Sequence, residues 1–423
     1  MLLKKKPTHV WKGILMIWKI AVIVAVVIAW LWELYLLWLS QRSKNNPIPA
    51  CVADVYDEET YRTRLRYSAE KNRFSMLRAT AGFVIEIVLL ACNVYAAFAG
   101  LFSENQWTQM FAVLLLSAIA SLAAIPFQYY DTMKIEGRYG FNRTTVKTFV
   151  FDRIKEFILQ FALMIGLGSM LFGLHRSFGD WLILVFAAFA TLFMLFITFL
   201  YPFFSKLFNK FKPLEDGELK EKLTALLEKN GYRVRAINVM DASRRSTKAN
   251  AYFAGFGKMK TIVLYDTLVE SMTPDEIVAV FAHELGHGLH KDTLKNQFLT
   301  FFEMLLLGFL AWGTLKILPL FSAFGFRDIN YGFALIVIMN AEFALLSPLF
   351  GLITNWLSRR AEYRADAHAV KEGYGENLIS ALKKLARQNY SDLSPSPILV
   401  ALTYSHPTLA QRIDAVRKLE SKE

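Results

Sequence analysis

Two histidines and a glutamate in the order His-Glu-x-x-His carry the clearest chemistry of this 423-residue chain. They are His283, Glu284 and His287, and the residues around them predict a helix. Because residues four apart lie on one face of a helix, both imidazoles can bind the same ion. Glu284 projects beside them and can act as a base towards a water at the metal. The pattern predicts the metal helix of a hydrolase with one Zn²⁺ per chain.

The residues before and after the motif strengthen the helix prediction. Thr273 is a candidate N-cap, Pro274 occupies a first turn that tolerates proline, and Glu276 completes a capping box. Gly286 and Gly288 leave room around the second histidine. The five-residue pattern arises by chance in about one chain in a hundred of this length. A chance match would rarely fall in so well capped a helix, so we favour a metal site.

A catalytic zinc site needs a third protein ligand and an open position for water. His290 is a poor candidate, because it lies about 10 Å beyond His283 along the helix. Two carboxylates one turn apart, Glu362 and Asp366, follow the last apolar stretch of the chain. One of them can bind the metal while the other steadies a histidine ligand. On these residues alone, a solvated salt-bridge surface beside the neighbouring arginines remains the alternative.

The composition predicts a membrane protein, since 54% of the residues are hydrophobic and only 20% are charged. The first long apolar stretch is too long for a removable signal peptide and lacks a small-residue cleavage site. Seven stretches are long and apolar enough to span a bilayer. They cover residues 13–40, 79–102, 107–127, 155–175, 179–203, 298–318 and 329–356. We therefore expect a multi-pass integral membrane protein.

The distribution of basic residues predicts its orientation. Lys and Arg concentrate in the connections after the first and third predicted spans, whereas the second, fourth and sixth connections carry at most one. The positive-inside rule then places the basic connections, the metal helix and the C-terminus in the cytoplasm. Seven spans would put the N-terminus outside, although it carries four lysines. Either the charges of the later connections outweigh these lysines, or the number of spans is wrong by one. The net charge of +12 thus reflects membrane topology, and we expect no nucleic-acid partner.

A soluble segment precedes and includes the metal helix. Its pattern predicts a helix at residues 218–229 and strands at 236–239, 251–256 and 261–265. In many zinc proteases an edge strand beside the metal holds the substrate backbone extended. Asn250 and Tyr252 lie on the candidate edge strand and are candidate substrate-binding residues, with a purely structural strand as the alternative. We divide the chain into five membrane helices (1–203), the metal-helix segment (204–297), two membrane helices (298–356) and a C-terminal helical segment (357–423).

Carboxylates within the predicted spans also need a role. Glu33, Glu86, Glu303 and Glu342 all fall in these stretches. Because a carboxylate that faces lipid is costly, each should face a water-filled cavity or a partner on a neighbouring helix. Both interpretations stay open at this point.

Five motifs together resemble the type I CAAX prenyl protease family of integral-membrane zinc metallopeptidases and, more distantly, the HtpX-like membrane proteases. They are residues 250–253 (Asn-Ala-Tyr-Phe), 261–268, 283–287, 362–366 and 405–409 (Ser-His-Pro-Thr-Leu). The resemblance implies that Glu362 is the third zinc ligand and Asp366 its neighbour. It also implies that His406 stabilises the oxyanion, with support from Arg412. The implied fold is mostly α: a seven-transmembrane helical bundle that encloses a cavity, with a small α/β zinc-metallopeptidase domain on the cytoplasmic side.

The expected activity is that of a membrane-embedded zinc metalloendopeptidase that processes prenylated C-termini of the CAAX type. Its partners would be the bilayer and peptide or protein substrates that are lipid-modified or membrane-associated. A membrane-protein quality-control protease without a prenyl requirement is the alternative. Two further functions are disfavoured. A non-enzymatic scaffold would not need every catalytic residue to be present, and a transporter would not need the His-Glu-x-x-His helix. The compact chain favours a prokaryotic cell membrane, whereas a eukaryotic member would lie in the endoplasmic reticulum membrane.

Overall fold

The computed structural model describes residues 9–254 and 259–422, with side chains outside 197–204, 233–235, 252–254, 259–260 and 293. Its helices in the first half of the chain are α1 (His9–Arg42), α2 (Glu58–Ala91), α3 (Val94–Ala99), α4 (Gln106–Leu122), α5 (Ile125–Tyr129), α6 (Val146–Phe178), α7 (Leu182–Phe208) and α8 (Glu218–Lys229). The later helices are α9 (Asp266–Ser271), α10 (Pro274–Leu289), α11 (Asp292–Leu315), α12 (Leu318–Ala323), α13 (Tyr331–Val337), α14 (Ala344–Lys371), α15 (Gly375–Gln388), α16 (Pro397–Thr403) and α17 (Leu409–Glu420). The strands are β1 (Phe211–Pro213), β2 (Arg233–Met240), β3 (Ala251–Ala254) and β4 (Met259–Tyr265).

Six helical stretches among the described residues are long and apolar enough to cross a membrane, where seven spans were predicted. The difference arises in one 51-residue stretch, Val146–Phe196, which contains the fourth predicted span and most of the fifth. Within it, Gly179 has a positive φ of 52° and follows the end of α6. A short 3₁₀ turn over Gly179–Trp181 then leads into α7. The polypeptide therefore forms two helices within this stretch.

The second predicted span is also longer than expected. The basic segment that was predicted as a loop is helical, because α2 already begins at Glu58. Asp57 caps this start by accepting a hydrogen bond from the backbone N–H of Thr60 at 2.8 Å. An N-cap of this kind satisfies one of the free N–H groups of a first turn and so stabilises the start of the helix at Glu58. From there the polar half of α2 continues without a break into the apolar half.

The membrane helices pack closely around a large apolar cluster. A Cβ at Gly308 of α11 would lie 2.7 Å from the carbonyl oxygen of Ile183 on α7, so only glycine allows this approach. Two of the carboxylates in this part have hydroxyl partners. Glu86 accepts from the Tyr95 hydroxyl at 3.1 Å, and Glu342 accepts from the Thr314 hydroxyl at 2.7 Å. For these two, pairing between helices is the observed arrangement.

The strands form one four-stranded sheet in the order β1-β2-β4-β3. β2 and β4 are parallel at its centre, whereas β1 and β3 pair antiparallel at the edges. β3 is thus the edge strand that the sequence predicted, although the predicted residues 255 and 256 lie outside the described residues. β1 was not predicted, because three residues ending in Pro213 carry no alternation of apolar and polar side chains.

The core of the soluble part forms around α10. Ile277, Val278 and Phe281 of this helix are at most 1% exposed. They belong to one apolar cluster with Leu223 of α8 and Leu378 of α15. The helix α8 covers Glu218–Lys229, as predicted. Because α8, α14 and α15 all pack against α10, the helix that carries His283 and His287 is held in place from several sides.

Candidate active site

The start of α10 is held by the predicted capping box. The Thr273 hydroxyl accepts from the Glu276 N–H at 3.3 Å, and the Glu276 carboxylate accepts from the Thr273 N–H at 2.8 Å. The same buried carboxylate accepts from Ser380 at 2.6 Å and from Lys384 at 2.7 Å, both on α15. Burial alone would raise the pKa of Glu276, but these hydrogen bonds together lower it. Glu276 therefore joins the start of the metal helix to α15 as an ionised group.

A close helix crossing places the third candidate ligand opposite the two histidines. A Cβ at Gly286 of α10 would lie 2.8 Å from the Cα of Ala365 on α14. Real side chains do not tolerate such a distance, so glycine is required for the two backbones to meet. The prediction gave Gly286 the role of leaving room around His287; the structure gives it this packing role. Glu362 lies one turn before Ala365 and therefore faces α10.

The side chains of His283, His287 and Glu362 converge, and their ligand atoms lie within 4.8 Å of one another. The Nε2 of His287 is 3.2 Å from Glu362 Oε1, and the Nε2 of His283 is 3.5 Å from Glu362 Oε2. Glu362 Oε2 is buried, and two further nitrogens lie close to it: His406 Nδ1 at 2.9 Å and Arg412 Nη1 at 3.3 Å. Two imidazole nitrogens and a carboxylate oxygen so arranged fit a metal ion. The three predicted ligands are thus brought together.

The imidazole of His283 is supported from behind by Asp366 and Arg412. Its Nδ1 lies 2.8 Å from Asp366 Oδ1, which leaves Nε2 directed towards the ligand group. Arg412 donates two hydrogen bonds to the Asp366 carboxylate, at 2.9 and 2.6 Å. Burial would lower the pKa of Arg412, but the charges of Asp366 and Glu362 raise it. Asp366 therefore acts on His283, and Arg412 balances the buried negative charge.

A second carboxylate supports His287, and the sequence reasoning missed it. Asp292 Oδ2 lies 3.1 Å from His287 Nδ1, and its other oxygen accepts from Arg364 at 2.9 Å and Lys295 at 3.1 Å. Lys291 has a left-handed backbone with φ of 55°, and this turn brings Asp292 back towards the end of α10. The available signal was an acidic residue five positions after the second histidine of the motif.

The environment of His287 sets a competition between metal and proton. Burial lowers its pKa, but hydrogen bonds to Glu362 and Asp292 and the charge of Glu284 outweigh burial and raise the pKa to about 9. A metal that takes the Nε2 of His287 must therefore displace a proton at neutral pH.

Glu284 and His406 lie at the accessible side of the ligand group. Glu284 is partly buried on α10, between the two histidines. His406 is in the loop between α16 and α17; its side chain is 63% exposed, and its Nδ1 is 2.9 Å from Glu362 Oε2. A partly buried carboxylate and an exposed imidazole beside the ligands can serve as a proton acceptor and a hydrogen-bond donor to a substrate.

The two candidate substrate-binding residues lie on the sheet edge. Asn250 is exposed directly before β3, and its carbonyl accepts from the Tyr265 N–H at 3.1 Å. Tyr252 belongs to β3, but its side chain lies outside the described part of the structure. Among the described side chains, no hydrogen bond joins Asn250 to the ligand group. The substrate role of both residues stays a prediction.

Comparisons with known proteins cover almost the whole chain. A family model described as the CAAX prenyl protease N-terminal region with five membrane helices matches residues 37–210, and the model of peptidase family M48 matches residues 213–420. The rice protein "CAAX prenyl protease 1 homolog" is 32% identical over 421 residues, which are 95% of this chain and 98% of that protein. The Saccharomyces cerevisiae "CAAX prenyl protease 1" is 30% identical over 442 residues, with 96% of each chain covered.

The fold agrees with these matches. The crystal structure of Ste24p from S. mikatae is similar with a TM-score of 0.86 and 30% identity, and the match covers 94% of this chain and 99% of that one. The resemblance that the five motifs indicated is confirmed. The chain belongs to peptidase family M48, as a membrane-integral metallopeptidase of the CAAX prenyl protease type.

Proposed function

We propose that this metallopeptidase uses zinc to cleave prenylated proteins near their C-termini, removing the residues that follow the prenylated cysteine. The observation that carries the proposal is the ligand group of His283 and His287 on α10 with Glu362 in the second half of α14. This helix begins in a stretch apolar enough to cross the membrane and ends beyond the ligand group. A substrate with a lipid anchor in the bilayer could therefore present a peptide bond to the site. The names of the relatives agree with such a substrate.

Zinc is the ion that this donor set favours. Two neutral imidazoles and one carboxylate are the protein ligands of many catalytic zinc sites, and they leave a position open. His283, His287 and Glu362 would hold the ion. When bound, zinc acts as a Lewis acid that polarises a carbonyl and lowers the pKa of water.

The protein's own groups then carry the proton transfers. Glu284 accepts the proton of the attacking water and afterwards delivers it to the leaving amine. His406 donates a hydrogen bond to the substrate carbonyl oxygen as negative charge develops there. Asn250 and Tyr252 lie along the free edge of β3, where a substrate backbone can pair as an added strand.

For the membrane part we propose seven crossings, with α6 and α7 as separate spans. A straight helix of 51 residues would be about 77 Å long, more than twice the thickness of a hydrocarbon core of about 30 Å. The basic connections support a cytoplasmic active site. Lys19 of α1 donates to the Ala91 carbonyl at the end of α2 at 2.7 Å, so these helices run antiparallel and the N-terminus lies opposite the site. The membrane would be the cell membrane in a prokaryote, or the endoplasmic reticulum in a eukaryote.

We also propose a water-filled chamber between the membrane helices. Glu33 is exposed within a stretch that is otherwise apolar. Because a carboxylate facing lipid is costly, its side chain should face water inside the bundle. Such a chamber would admit a polar peptide while its lipid stays in the bilayer.

The test uses the purified full-length protein loaded with zinc and two peptides that end in the same C-a-a-X sequence, one prenylated and one not. We expect cleavage of the prenylated peptide alone. The variant Glu284→Gln should keep its zinc and lose about 10²- to 10⁴-fold in turnover, the usual contribution of a general base. Wild-type turnover by this variant would refute the assignment of Glu284. Equal cleavage of both peptides would instead favour a membrane-protein quality-control protease.

A further inference from the structure

A polar cavity lies away from the active site, where the start of α6 and the end of α7 meet the turn after β2. Its volume is about 370 Å³, within the range of small-molecule sites. Six of its lining residues are basic and one is acidic: Lys147, Lys155, Lys206, Lys210, Arg244 and Arg245, with Asp152. The catalytic chemistry uses none of them.

Internal pairing neutralises only a small part of this charge. Arg245 donates to both oxygens of Asp152, at 2.9 and 3.2 Å, and also to Asn209 at 3.0 Å. Asp152, the one acidic residue among the described residues of the lining, is thereby matched, and Arg245 is fixed as part of the wall. Lys155 donates to the Leu207 carbonyl at the end of α7 at 2.8 Å.

Four cations in the lining have no such partner. Within the described part of the chain, no carboxylate forms an ion pair with Lys147, Lys206, Lys210 or Arg244. All four are exposed, so water solvates them individually. Their shared positive charge around one cavity nevertheless favours a negatively charged group there.

The neighbouring surface places this cavity at the edge of the bilayer. Val150, Phe151, Ile154 and Ile158 lie on α6 next to the basic residues, and each is about half exposed or more. Leu207 on α7 is exposed beside them. Exposed apolar side chains on long apolar helices face lipid, so we expect the basic residues of the cavity to lie at the depth of the headgroups.

We propose that this cavity binds the phosphate of an anionic phospholipid headgroup, with the acyl chains along the exposed apolar face of α6. Lysines bind phosphate as point charges, and basic pockets between membrane helices on the cytoplasmic side are suited to such headgroups. A basic peptide would be repelled here. The exposed apolar residues beside the cavity favour a lipid over a free phosphate compound.

The experiment measures retention of dioleoyl phosphatidylglycerol and dioleoyl phosphatidylcholine by the full-length protein in neutral detergent, using native mass spectrometry. The test variant combines Lys147→Gln, Lys206→Gln and Lys210→Gln. The matched control combines Lys371→Gln, Lys418→Gln and Lys422→Gln, which removes the same charge at exposed positions on α14, on α17 and after it. A separate arm adds glycerol 3-phosphate as the soluble competitor.

We expect the wild type to retain phosphatidylglycerol in preference to phosphatidylcholine. The test variant should lose at least about tenfold in affinity for phosphatidylglycerol, given the usual contribution of each cation at an anionic surface. The control should bind as the wild type does, and glycerol 3-phosphate should compete weakly. Equal retention by the test variant and the control would overturn the proposal. Full displacement by glycerol 3-phosphate would also overturn it, because the site would then recognise a free anion.

Discussion

Asp292 offers the sharpest test of how the ligand group is built, because it contacts a candidate metal ligand without being one. In the variant Asp292→Asn, the amide oxygen can still accept from His287 Nδ1, but the negative charge behind the imidazole is lost. The two other partners of Asp292 tolerate this change: Arg364 and Lys295 have side chains that are 40% and 58% exposed. Water can therefore solvate them when the carboxylate is gone.

The expected magnitude follows from this geometry. Carboxylates that orient a metal-bound histidine contribute about 10- to 100-fold to metal affinity, or about 1.4–2.8 kcal/mol. Asp292→Asn should lose that affinity for zinc, while the unfolding temperature of the metal-free protein falls much less than in Asp366→Asn, because two of the three partners of Asp292 are solvent-accessible. Asp366→Asn should behave differently. It would leave Arg412 buried with a weakened partner, which costs about 3–5 kcal/mol when such a pair is broken.

The assay pairs two measurements on the full-length protein: zinc affinity by competition with a chromophoric chelator, and thermal unfolding without metal. Asp275→Asn is the matched control, since Asp275 lies on the same helix and pairs with Lys222 at 2.6 Å, far from the ligands. Wild-type zinc affinity in Asp292→Asn would refute the reasoning. A fall in unfolding temperature equal to that of Asp366→Asn would show that Asp292 has a structural role instead.

Two further variants test the elements that position the ligands. Gly286→Ala should destabilise the protein by about 1–3 kcal/mol and weaken zinc binding, because the new methyl group would push α10 away from Ala365. The control is Gly313→Ala, because the space around the Cβ position of Gly313 is open. Unchanged unfolding temperature and zinc affinity in Gly286→Ala would contradict the close crossing. Glu276→Gln should lower stability by about 1–3 kcal/mol at neutral pH. Since the folded pKa of Glu276 lies below its usual 4.5, its contribution is complete above that pH and is lost as the pH falls through the lowered folded pKa. Unfolding temperatures from pH 7 to pH 3 should therefore converge for wild type and variant, and a constant difference would contradict the role of the charge.

Local signals explain why much of the fold could be predicted from the sequence. The capping box at Thr273 and Glu276 depends on residues three apart, and both of its hydrogen bonds are present. The helix Glu218–Lys229 agrees residue for residue, because an apolar stripe and Asn230-Gly231 define its face and end. The early start of α2 was missed, since its first half is polar and hydropathy alone does not distinguish a polar helix from a loop.

In the candidate site, too, the residues that are close in sequence could be predicted, whereas those brought together by the fold could not be predicted from spacing alone. His283 and His287 are neighbours along one helix, so their spacing alone places them together. Glu362 is more than 70 residues away, and the resemblance to a family was needed to choose it over Asp366 as a ligand. Asp292 was missed because its contact with His287 depends on a left-handed turn at Lys291, a conformation that a lysine does not signal.

The contacts behind the ligands explain why a membrane protein would build its metal site in this place. His283 is held by Asp366 on α14, and His287 is held by Asp292 at the first residue of α11. Glu362 also belongs to α14, so each ligand is tied to a helix that enters an apolar stretch. The geometry of the ligand group therefore depends on how α11 and α14 are placed relative to α10. A change in the packing of these membrane helices would move the groups that orient both imidazoles, and this gives the bundle a direct mechanical connection to the chemistry.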